Sequence, residues 1–305
     1  MTKFFSQLPT QFVYALSGGV DSVALLHSLR EAGFQPIVAH FNHRWFPHED
    51  EYEKFCCALA KKWKLKCVTK RAKKSDATTE AAGREARYDF LVQTEKRFRC
   101  SGVVTAHTAS DQAETVLMRL LRGAGSRGLS AMKWKSQRGD VTIFRPWLEA
   151  TREEVLHYAK THHLKWHEDP VNEELTRFRG KIRHRLLPYL KKQFDSNLVK
   201  RLCQTADLLA EEDAYLSEQS RNLLEKIRDR SQPHRLLTRE LAKLPLALQR
   251  RVIREWLERE KVNDIDFELI ENILRMLQDR SLARCNLTQG WQVCRKEARL
   301  WIRKN

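Results

Sequence analysis

The sequence predicts an α/β protein. Its first half forms a doubly wound, mostly parallel sheet, and a long linker helix and a small α+β C-terminal domain follow. Three observations lead to this prediction. Short apolar runs alternate with segments of helical periodicity up to about residue 122. A long helical pattern covers about residues 196–228. Two further helical segments and three short strand-like segments come after it.

The first half contains four predicted strand–helix units. The strand-like runs cover residues 12–16, 36–41, 66–71 and 102–106, and the helical patterns cover residues 20–32, 49–64, 80–98 and 111–122. The runs are mostly apolar, which is typical of strands covered by helices on both faces of a sheet. Parallel strands joined by right-handed crossovers present their carboxyl ends at one edge. We therefore expect the residues after the first, second and fourth strands to meet in one cleft.

The elements after residue 123 are less regular. We expect a fifth strand at residues 141–144 and then a helix capped by Thr151. Helices at residues 245–260 and 267–278 precede an antiparallel meander at residues 283–287, 291–295 and 299–302, with a turn at Gln289 and Gly290. The predicted domains are residues 1–195, a linker helix over residues 196–230 and a small domain over residues 231–305.

The composition of the 305-residue chain points to a cytoplasmic protein with a polyanionic partner. Seven scattered cysteines form no C-x-x-C pair, which argues for reduced thiols and against a zinc ribbon or an iron–sulfur site. Neither a secretory signal nor an apolar run of membrane-spanning length is present. The net charge is +17, and basic stretches without acids lie at residues 61–74, 119–138 and 175–194. Such clustering favours nucleic acid over a uniformly solvated surface.

The motif Ser17-Gly18-Gly19-Val20-Asp21-Ser22 follows the first strand and opens the first helix. Two glycines, two hydroxyl groups and the free N–H groups of a helix start predict a phosphate site. Asp21 is suited to hold a hydrated Mg²⁺ beside the phosphates. The alternative is an ordinary strand–turn–helix connection that a serine caps. The Walker lysine and the third glycine of the dinucleotide fingerprint are both missing, so the motif belongs to neither of those classes.

Asp111 and Glu114 lie three residues apart, on one face of the helix after the fourth strand. Capping of the helix and a functional role explain this spacing equally well. The position at the nucleotide edge favours function, either to bind Mg²⁺ or to hold or deprotonate an amine. His40, His43 and His107 lack the spacing of helical metal ligands, so we expect them to line the cleft.

The Ser-Gly-Gly-x-Asp-Ser pattern resembles the signature of the PP-loop ATP pyrophosphatases, which share a Rossmann-like fold. Other segments narrow this resemblance to the tRNA(Ile)-lysidine synthetase family, strongly over residues 12–190 and by arrangement alone over residues 200–305. These segments are Ala39-His40-Phe41-Asn42-His43, Arg84-Glu85-Ala86-Arg87-Tyr88, Asp111-Gln112-Ala113-Glu114-Thr115 with Arg119 and Arg122-Gly123, Arg145-Pro146, and Asp169-Pro170 with Asn172, Arg179, Ile182, Arg183 and Pro188.

The resemblance implies an ATP- and Mg²⁺-dependent ligase that joins free L-lysine to C2 of the wobble cytidine of CAU-anticodon tRNA(Ile). The reaction would pass through an adenylated intermediate and release AMP and pyrophosphate. Residues 1–195 would form the ATP-binding catalytic domain and residues 231–305 a tRNA-binding domain. The implied catalytic residues are Asp21, Asp111, Glu114, Arg179 and Arg183. The implied ATP-binding residues are Ser17, Gly18, Gly19, Val20, Asp21, Ser22, Ala39, His40 and His107. The implied tRNA-binding residues are Arg84, Arg87, Arg119, Arg122, Arg177, Lys181 and Arg185.

Several alternatives stay open at this point. Arg179 and Arg183 are suited either to stabilise phosphate charge or to contact the RNA backbone. The chain as a whole is compatible with another tRNA-modifying enzyme of the same superfamily, such as a thiolase, or with a non-catalytic tRNA-binding protein. The missing cysteine pairs argue against the thiolase, and the intact motif at residues 17–22 argues against loss of catalysis. A second copy of the chain, in a homodimer, is a further candidate partner.

Overall fold

The computed structural model describes residues 2–45, 48–73, 79–167, 178–279 and 281–304. It divides into two compact units, residues 2–210 and residues 211–304 of the described chain. The first unit contains the strands β1 (Val13–Ala15), β2 (Ile37–Asn42), β3 (Cys67–Arg71), β4 (Val103–Val104), β5 (Lys135–Arg138) and β6 (Val141–Phe144). Its helices are α1 (Val20–Glu31), α2 (Glu49–Lys62), α3 (Glu80–Phe98), α4 (Ala109–Leu120), α5 (Ser126–Leu129), α6 (Arg152–Thr161), α7 (Phe178–Lys181) and α8 (Leu187–Gln193).

These six strands form one sheet in the order β3-β2-β1-β4-β6-β5. All neighbours are parallel except β5, which pairs antiparallel with β6 at the edge. In register, Val13 of β1 lies opposite Ile37 of β2 and Val103 of β4. The predicted doubly wound, mostly parallel sheet is confirmed. The sequence analysis did not predict the edge strand β5.

Helices cover both faces of this sheet, because successive side chains of a strand point to opposite sides. Tyr14 of β1 packs into an apolar cluster with α1 and α6. Its neighbour Val13 packs on the other face with residues of α3 such as Leu91. Both strand residues are fully buried. The first strand therefore lies in the middle of the unit and holds the loop that follows it at the carboxyl edge of the sheet.

The long helix α9 (Leu198–Ile227) passes through the boundary between the two units. The second unit also contains α10 (Thr238–Ala242), α11 (Leu246–Arg259) and α12 (Phe267–Gln278). Its strands β7 (Leu236–Leu237), β8 (Arg284–Asn286), β9 (Trp291–Lys296) and β10 (Arg299–Lys304) form an antiparallel sheet in the order β7-β10-β9-β8. Trp256, which is 1% exposed, lies in the core of this unit.

The two helices and three strands predicted for residues 245–302 are confirmed with small shifts of their ends, whereas β7 and α10 were not predicted. The boundaries of the three predicted domains stay predictions. None of the helices in the described parts of the chain is long and apolar enough to cross a membrane.

Candidate active site

The loop between β1 and α1 closes on itself through its own polar groups. The backbone N–H of Gly18 and the hydroxyl of Ser17 both donate to Ser22 Oγ, at 3.1 and 3.0 Å. Ser22 Oγ in turn donates to the carbonyl of Gly19 at 2.9 Å. Gly18 has a φ of +94°, a conformation that favours glycine, and an added Cβ would lie 3.2 Å from Cys56 Sγ. The Ser22 hydroxyl thus shapes the loop from inside, and the helix N-terminus after Gly19 stays open to an anion.

Asp21 stands in the first turn of α1 with one carboxylate oxygen left without a hydrogen-bond partner. This oxygen, Oδ1, is buried, and Oδ2 lies 3.9 Å from a guanidinium nitrogen of Arg152. Burial and the nearby charge of Asp111 raise the pKa of Asp21 to about 6. A buried, unpartnered carboxylate oxygen beside a phosphate-type loop is the kind of ligand that Mg²⁺ takes. Asp21 therefore fits the predicted metal role.

The two carboxylate oxygens of Asp111 have different hydrogen-bond partners. The backbone N–H and the hydroxyl of Thr108 donate to Oδ2, at 2.9 and 3.1 Å, which caps α4. Arg179 Nη2 donates to Oδ1 at 2.8 Å, and Arg183 Nη2 donates to it at 3.2 Å. Burial by itself raises the pKa of Asp111, but its interactions with His107, Arg179 and Arg183 outweigh burial and lower the pKa. Asp111 therefore caps α4 and also takes part in a charged site. These are the two explanations that the spacing of Asp111 and Glu114 left open.

Glu114 completes a cluster of two acids and two arginines. Its side chain is 1% exposed. Arg179 Nε donates to Oε2 at 2.8 Å, and Arg183 Nε donates to Oε1 at 2.5 Å. Arg183 lies in a single π-helical turn, Ile182–Leu186, between α7 and α8. Such turns occur often at functional sites. We call these four residues, Asp111, Glu114, Arg179 and Arg183, the charge cluster. The sequence singled out all four but did not reveal that they pair with one another.

Two cavities share the loop, where the sequence analysis expected one cleft. The larger measures about 580 Å³, and Asp21 and Glu114 both line it. Its other lining residues are Thr108, Ser110, Arg152, Glu153, Arg183, His184, Leu187, Pro188, Lys191, Lys192, Ser196 and Val199. The smaller measures about 250 Å³ and is lined by Ser17, by the end of β2 and by Arg87. Arg152 and His184 were not singled out from the sequence, and Lys191 and Lys192 were noted only as part of the basic stretch at residues 175–194, because no local motif marks a cation that arrives from a distant helix.

Histidines of the predicted nucleotide site are held in their neutral form. Burial lowers the pKa of His40, and its Nδ1 lies 2.9 Å from the carbonyl oxygen of Leu16. Since a carbonyl can only accept, Nδ1 carries the proton and the buried Nε2, which has no partner, is an acceptor. Burial also lowers the pKa of His107, to about 3. Ala39 and His40 line the smaller cavity with Ser17, whereas Gly18, Gly19, Val20, Ser22 and His107 line neither of the two cavities.

The smaller cavity also contains side chains that the sequence analysis did not single out. Asn42 donates to Asp50 Oδ1 and Glu53 Oε2, both at 2.9 Å, which ties β2 to α2. The ring of Trp45 stacks on His43 with centroids 4.3 Å apart. Gly83 of α3 makes room for this ring, since a Cβ there would lie 2.5 Å from it. A planar, partly aromatic wall therefore forms one side of the cavity.

The predicted RNA-binding arginines have different surroundings. Arg84, Arg122, Lys181 and Arg185 are exposed. Arg119 stabilises the loop after α4, since its Nη1 donates to the carbonyls of Gly128 and Ala131 at 2.6 and 3.1 Å. Arg87 lines the smaller cavity, and its buried Nε has no hydrogen-bond partner. Arg177 and the motif at Asp169, Pro170 and Asn172 lie outside the described residues.

Comparison with known proteins decides the family. A family model described as PP-loop domain matches residues 1–190, and one described as TilS substrate binding domain matches residues 236–301. The tRNA(Ile)-lysidine synthase of Synechocystis sp. is 37% identical, with 94% of this chain and 90% of the relative covered. The chain belongs to the tRNA(Ile)-lysidine synthase family. This membership confirms the predicted enzyme class, an ATP-dependent tRNA-modifying ligase with a PP-loop domain.

Other members of the tRNA(Ile)-lysidine synthase family show similar agreement. The synthase of Gloeobacter violaceus is 39% identical, with 86% of this chain and 81% of the relative covered. Among solved structures, the U34-tRNA thiolase NcsA from Methanococcus maripaludis has a TM-score of 0.56 at 18% identity, with 66% of this chain and 72% of that chain covered. The likeness to the thiolase shows the shared fold alone.

Proposed function

We propose that this chain joins free L-lysine to C2 of the wobble cytidine of a CAU-anticodon tRNA(Ile), with ATP as the activating substrate. One observation carries the proposal. The phosphate-type loop motif contributes Asp21, and the pair of buried acids contributes Glu114, to the lining of one cavity. ATP activates the base by adenylation, the lysine amine displaces AMP, and pyrophosphate leaves from the loop.

The smaller cavity suits the nucleoside part of ATP. His40 offers its neutral Nε2 as an acceptor, and the stacked pair of His43 and Trp45 supplies an aromatic wall. The phosphates would then reach the open N–H groups at the start of α1. Asp21 would hold Mg²⁺ through its unpartnered Oδ1, and the metal would neutralise charge on the pyrophosphate as it departs.

The larger cavity suits lysine, because both acidic and basic side chains line it. Asp21 and Glu114 attract an ammonium group, and Arg152, Lys191 and Lys192 attract a carboxylate. An amine must lose its proton before it attacks, and the ordinary pKa of a lysine side chain is about 10.4. Transfer into a buried site lowers this pKa, and Glu114 is the acid of the charge cluster that faces the cavity.

Arg179 and Arg183 are placed to stabilise the charge that develops on the adenylated base. Each guanidinium is bonded to both acids of the charge cluster, which fixes its direction before substrates bind. Preorganised donors of this kind lower the barrier of a charge-developing step, because they do not have to reorganise. Both oxygens of Asp111 already accept hydrogen bonds, from Thr108 and from the two arginines, which suits a positioning role for this residue.

The RNA partner is supported by charge. Exposed cations of the first unit, including Arg84, Arg122, Lys181 and Arg185, offer phosphate contacts. Residues 236–301 of the second unit match a model described as a substrate binding domain. We propose that both units contact the tRNA, and that the protein acts as a monomer or as a homodimer of two such chains.

The test is incorporation of radiolabelled lysine into CAU-anticodon tRNA(Ile) transcript, with and without ATP and Mg²⁺. We expect incorporation that depends on both. The Asp21→Ala variant should abolish incorporation and leave tRNA affinity within about twofold of wild type. The Asp140→Ala variant is the matched control, since Asp140 is 93% exposed and lies in a hairpin turn.

Two outcomes would contradict the proposal. Correctly folded wild type that incorporates no lysine would refute the assigned reaction. Equal loss of tRNA binding in the Asp21→Ala variant would mean that the loop is structural and not catalytic.

A further inference from the structure

Two large aromatic side chains of helix α8 and its C-terminal end are exposed side by side. Tyr189 is 58% exposed and Phe194 is 73% exposed. Their ring centroids lie 6.3 Å apart with an interplanar angle of 67°, so the edge of one ring meets the face of the other. Exposed apolar area of this size costs free energy in water unless a partner covers it. We call Tyr189 and Phe194 the aromatic pair.

The opposite face of α8 fixes the aromatic pair in place. Leu187 is buried in a small apolar cluster with Ala113 and Leu117 of α4, and Leu190 packs against the same cluster. Glu114 of the charge cluster lies on α4 between these two contacts. Leu187 and Leu190 thus attach α8 to α4, the helix that carries Asp111 and Glu114. This packing fixes the position of the aromatic pair relative to these two acids.

The segment that carries the aromatic pair is rich in positive charge. The described residues 178–194 contain six Lys and Arg residues and no acid. Lys191 and Lys192 stand between the two rings in sequence, and both line the larger cavity together with Asp21 and Glu114. The aromatic pair thus flanks two lysines that line the cavity in which the proposed chemistry takes place.

We propose that the aromatic pair is a stacking platform for unpaired nucleotides next to the target base in the RNA loop. Open ring faces combined with flanking cations suit single-stranded nucleic acid, because every base has a face that stacks and every linkage carries a negative charge. This inference rests on the proposed function, since it takes the loop of the tRNA as the occupant. The stacked neighbours would hold the strand while the target cytidine enters the cavity.

The experiment measures the affinity of an anticodon stem-loop RNA for the full chain over a series of salt concentrations. The double variant Tyr189→Ala/Phe194→Ala should bind about 10- to 100-fold more weakly, from the usual effect of removing a stacked ring. Because stacking involves no counterion release, the slope of log Kd against log salt should stay that of wild type. The double variant Lys191→Ala/Lys192→Ala should instead reduce this slope by about 1 to 2.

Further variants separate stacking from simple apolar contact. Tyr189→Leu/Phe194→Leu keeps apolar area without a ring face and should remain weak, whereas Tyr189→Trp/Phe194→Trp should restore affinity to within about threefold of wild type. Tyr215→Ala is the matched control, since Tyr215 is 62% exposed on α9 and lies outside residues 236–301, and the RNA affinity of this variant should not change. With 2-aminopurine beside the target cytidine, RNA bound to wild type should show quenched fluorescence that the alanine variant restores.

Three results would overturn the inference. The first is affinity of the alanine variant within twofold of wild type. The second is wild-type RNA affinity of the leucine variant. The third is a wild-type dimer in sedimentation that the alanine variant converts to monomer without loss of RNA affinity, because the occupant would then be a second copy. If wild type binds the RNA through these rings but incorporates no lysine, the platform stands and the proposed reaction falls.

Discussion

Replacement of Asp21 by asparagine should stabilise the metal-free protein while it removes catalysis. The pKa of Asp21 rises from 3.8 to about 6 in the fold, mainly because of burial. At 1.36 kcal/mol per pKa unit, ionised Asp21 costs about 3 kcal/mol of folding free energy. Asp21 Oδ1 makes no hydrogen bond that the amide would lose. The side chain is 28% exposed, so we expect a gain of about 2 kcal/mol at pH 8.

The sign of the pH dependence follows from the raised pKa. Below about pH 4 the carboxyl group is protonated in both the folded and the unfolded chain, and the variant should gain nothing. Between pH 4 and about 6 the folded wild type keeps a proton that the unfolded chain has released, so the advantage of Asp21→Asn grows. Above pH 6 the full difference should be present.

Urea unfolding of both proteins in EDTA, at several pH values from 4 to 8, measures this difference. In thermal unfolding the gain corresponds to a rise in Tm of roughly 4–8 °C. Addition of Mg²⁺ with ATP should stabilise wild type more than the variant, since Asp21 would hold the metal. A variant that is less stable than wild type at pH 8, or a gain that does not shrink towards pH 4, would refute the assignment of a buried carboxylate whose Oδ1 has no hydrogen-bond partner.

Three further predictions concern the charge cluster, the loop and the RNA. Glu114→Ala should lower the free energy of unfolding, measured by urea titration, by about 2–4 kcal/mol, because it leaves two partly buried guanidinium groups without this acid. The control Glu153→Ala removes an exposed acid and should change the free energy of unfolding by less than about 0.5 kcal/mol. Gly18→Ala should weaken ATP binding, measured by calorimetry, at least about tenfold, because its φ of +94° and the nearby Cys56 oppose a side chain; unchanged affinity would show a more pliable loop. The affinity for tRNA should fall by a factor of at least about 10³ between 50 and 200 mM salt in filter binding, and a flat response would exclude the basic surface as the docking site.

Much of the first unit was predictable because its signals are local. An apolar run followed by a glycine-rich turn and a helix predicts β1, the loop and α1, and repetition of this pattern predicts a parallel sheet. Thr151 and Glu154 likewise predict the start of α6, where Thr151 accepts from the backbone N–H of Glu154. Strand β5 was missed because its residues, Lys135–Arg138, are all polar or charged. An edge strand of this kind shows no apolar alternation.

In the candidate site, too, some features were predictable from the sequence and others were not. The sequence by itself determined the family, the phosphate-type loop at residues 17–22 and the acids Asp111 and Glu114, because backbone conformation and helix spacing are set by neighbouring residues. Only the tertiary structure decided that Arg179 and Arg183 neutralise these acids, that Asp21 keeps an unpartnered oxygen, and that the lysines of α8 line the same cavity as Asp21 and Glu114. Contacts between side chains more than 60 residues apart depend on how helices pack across the sheet edge. Burial and charge, which set the pKa values, exist only once that packing has formed.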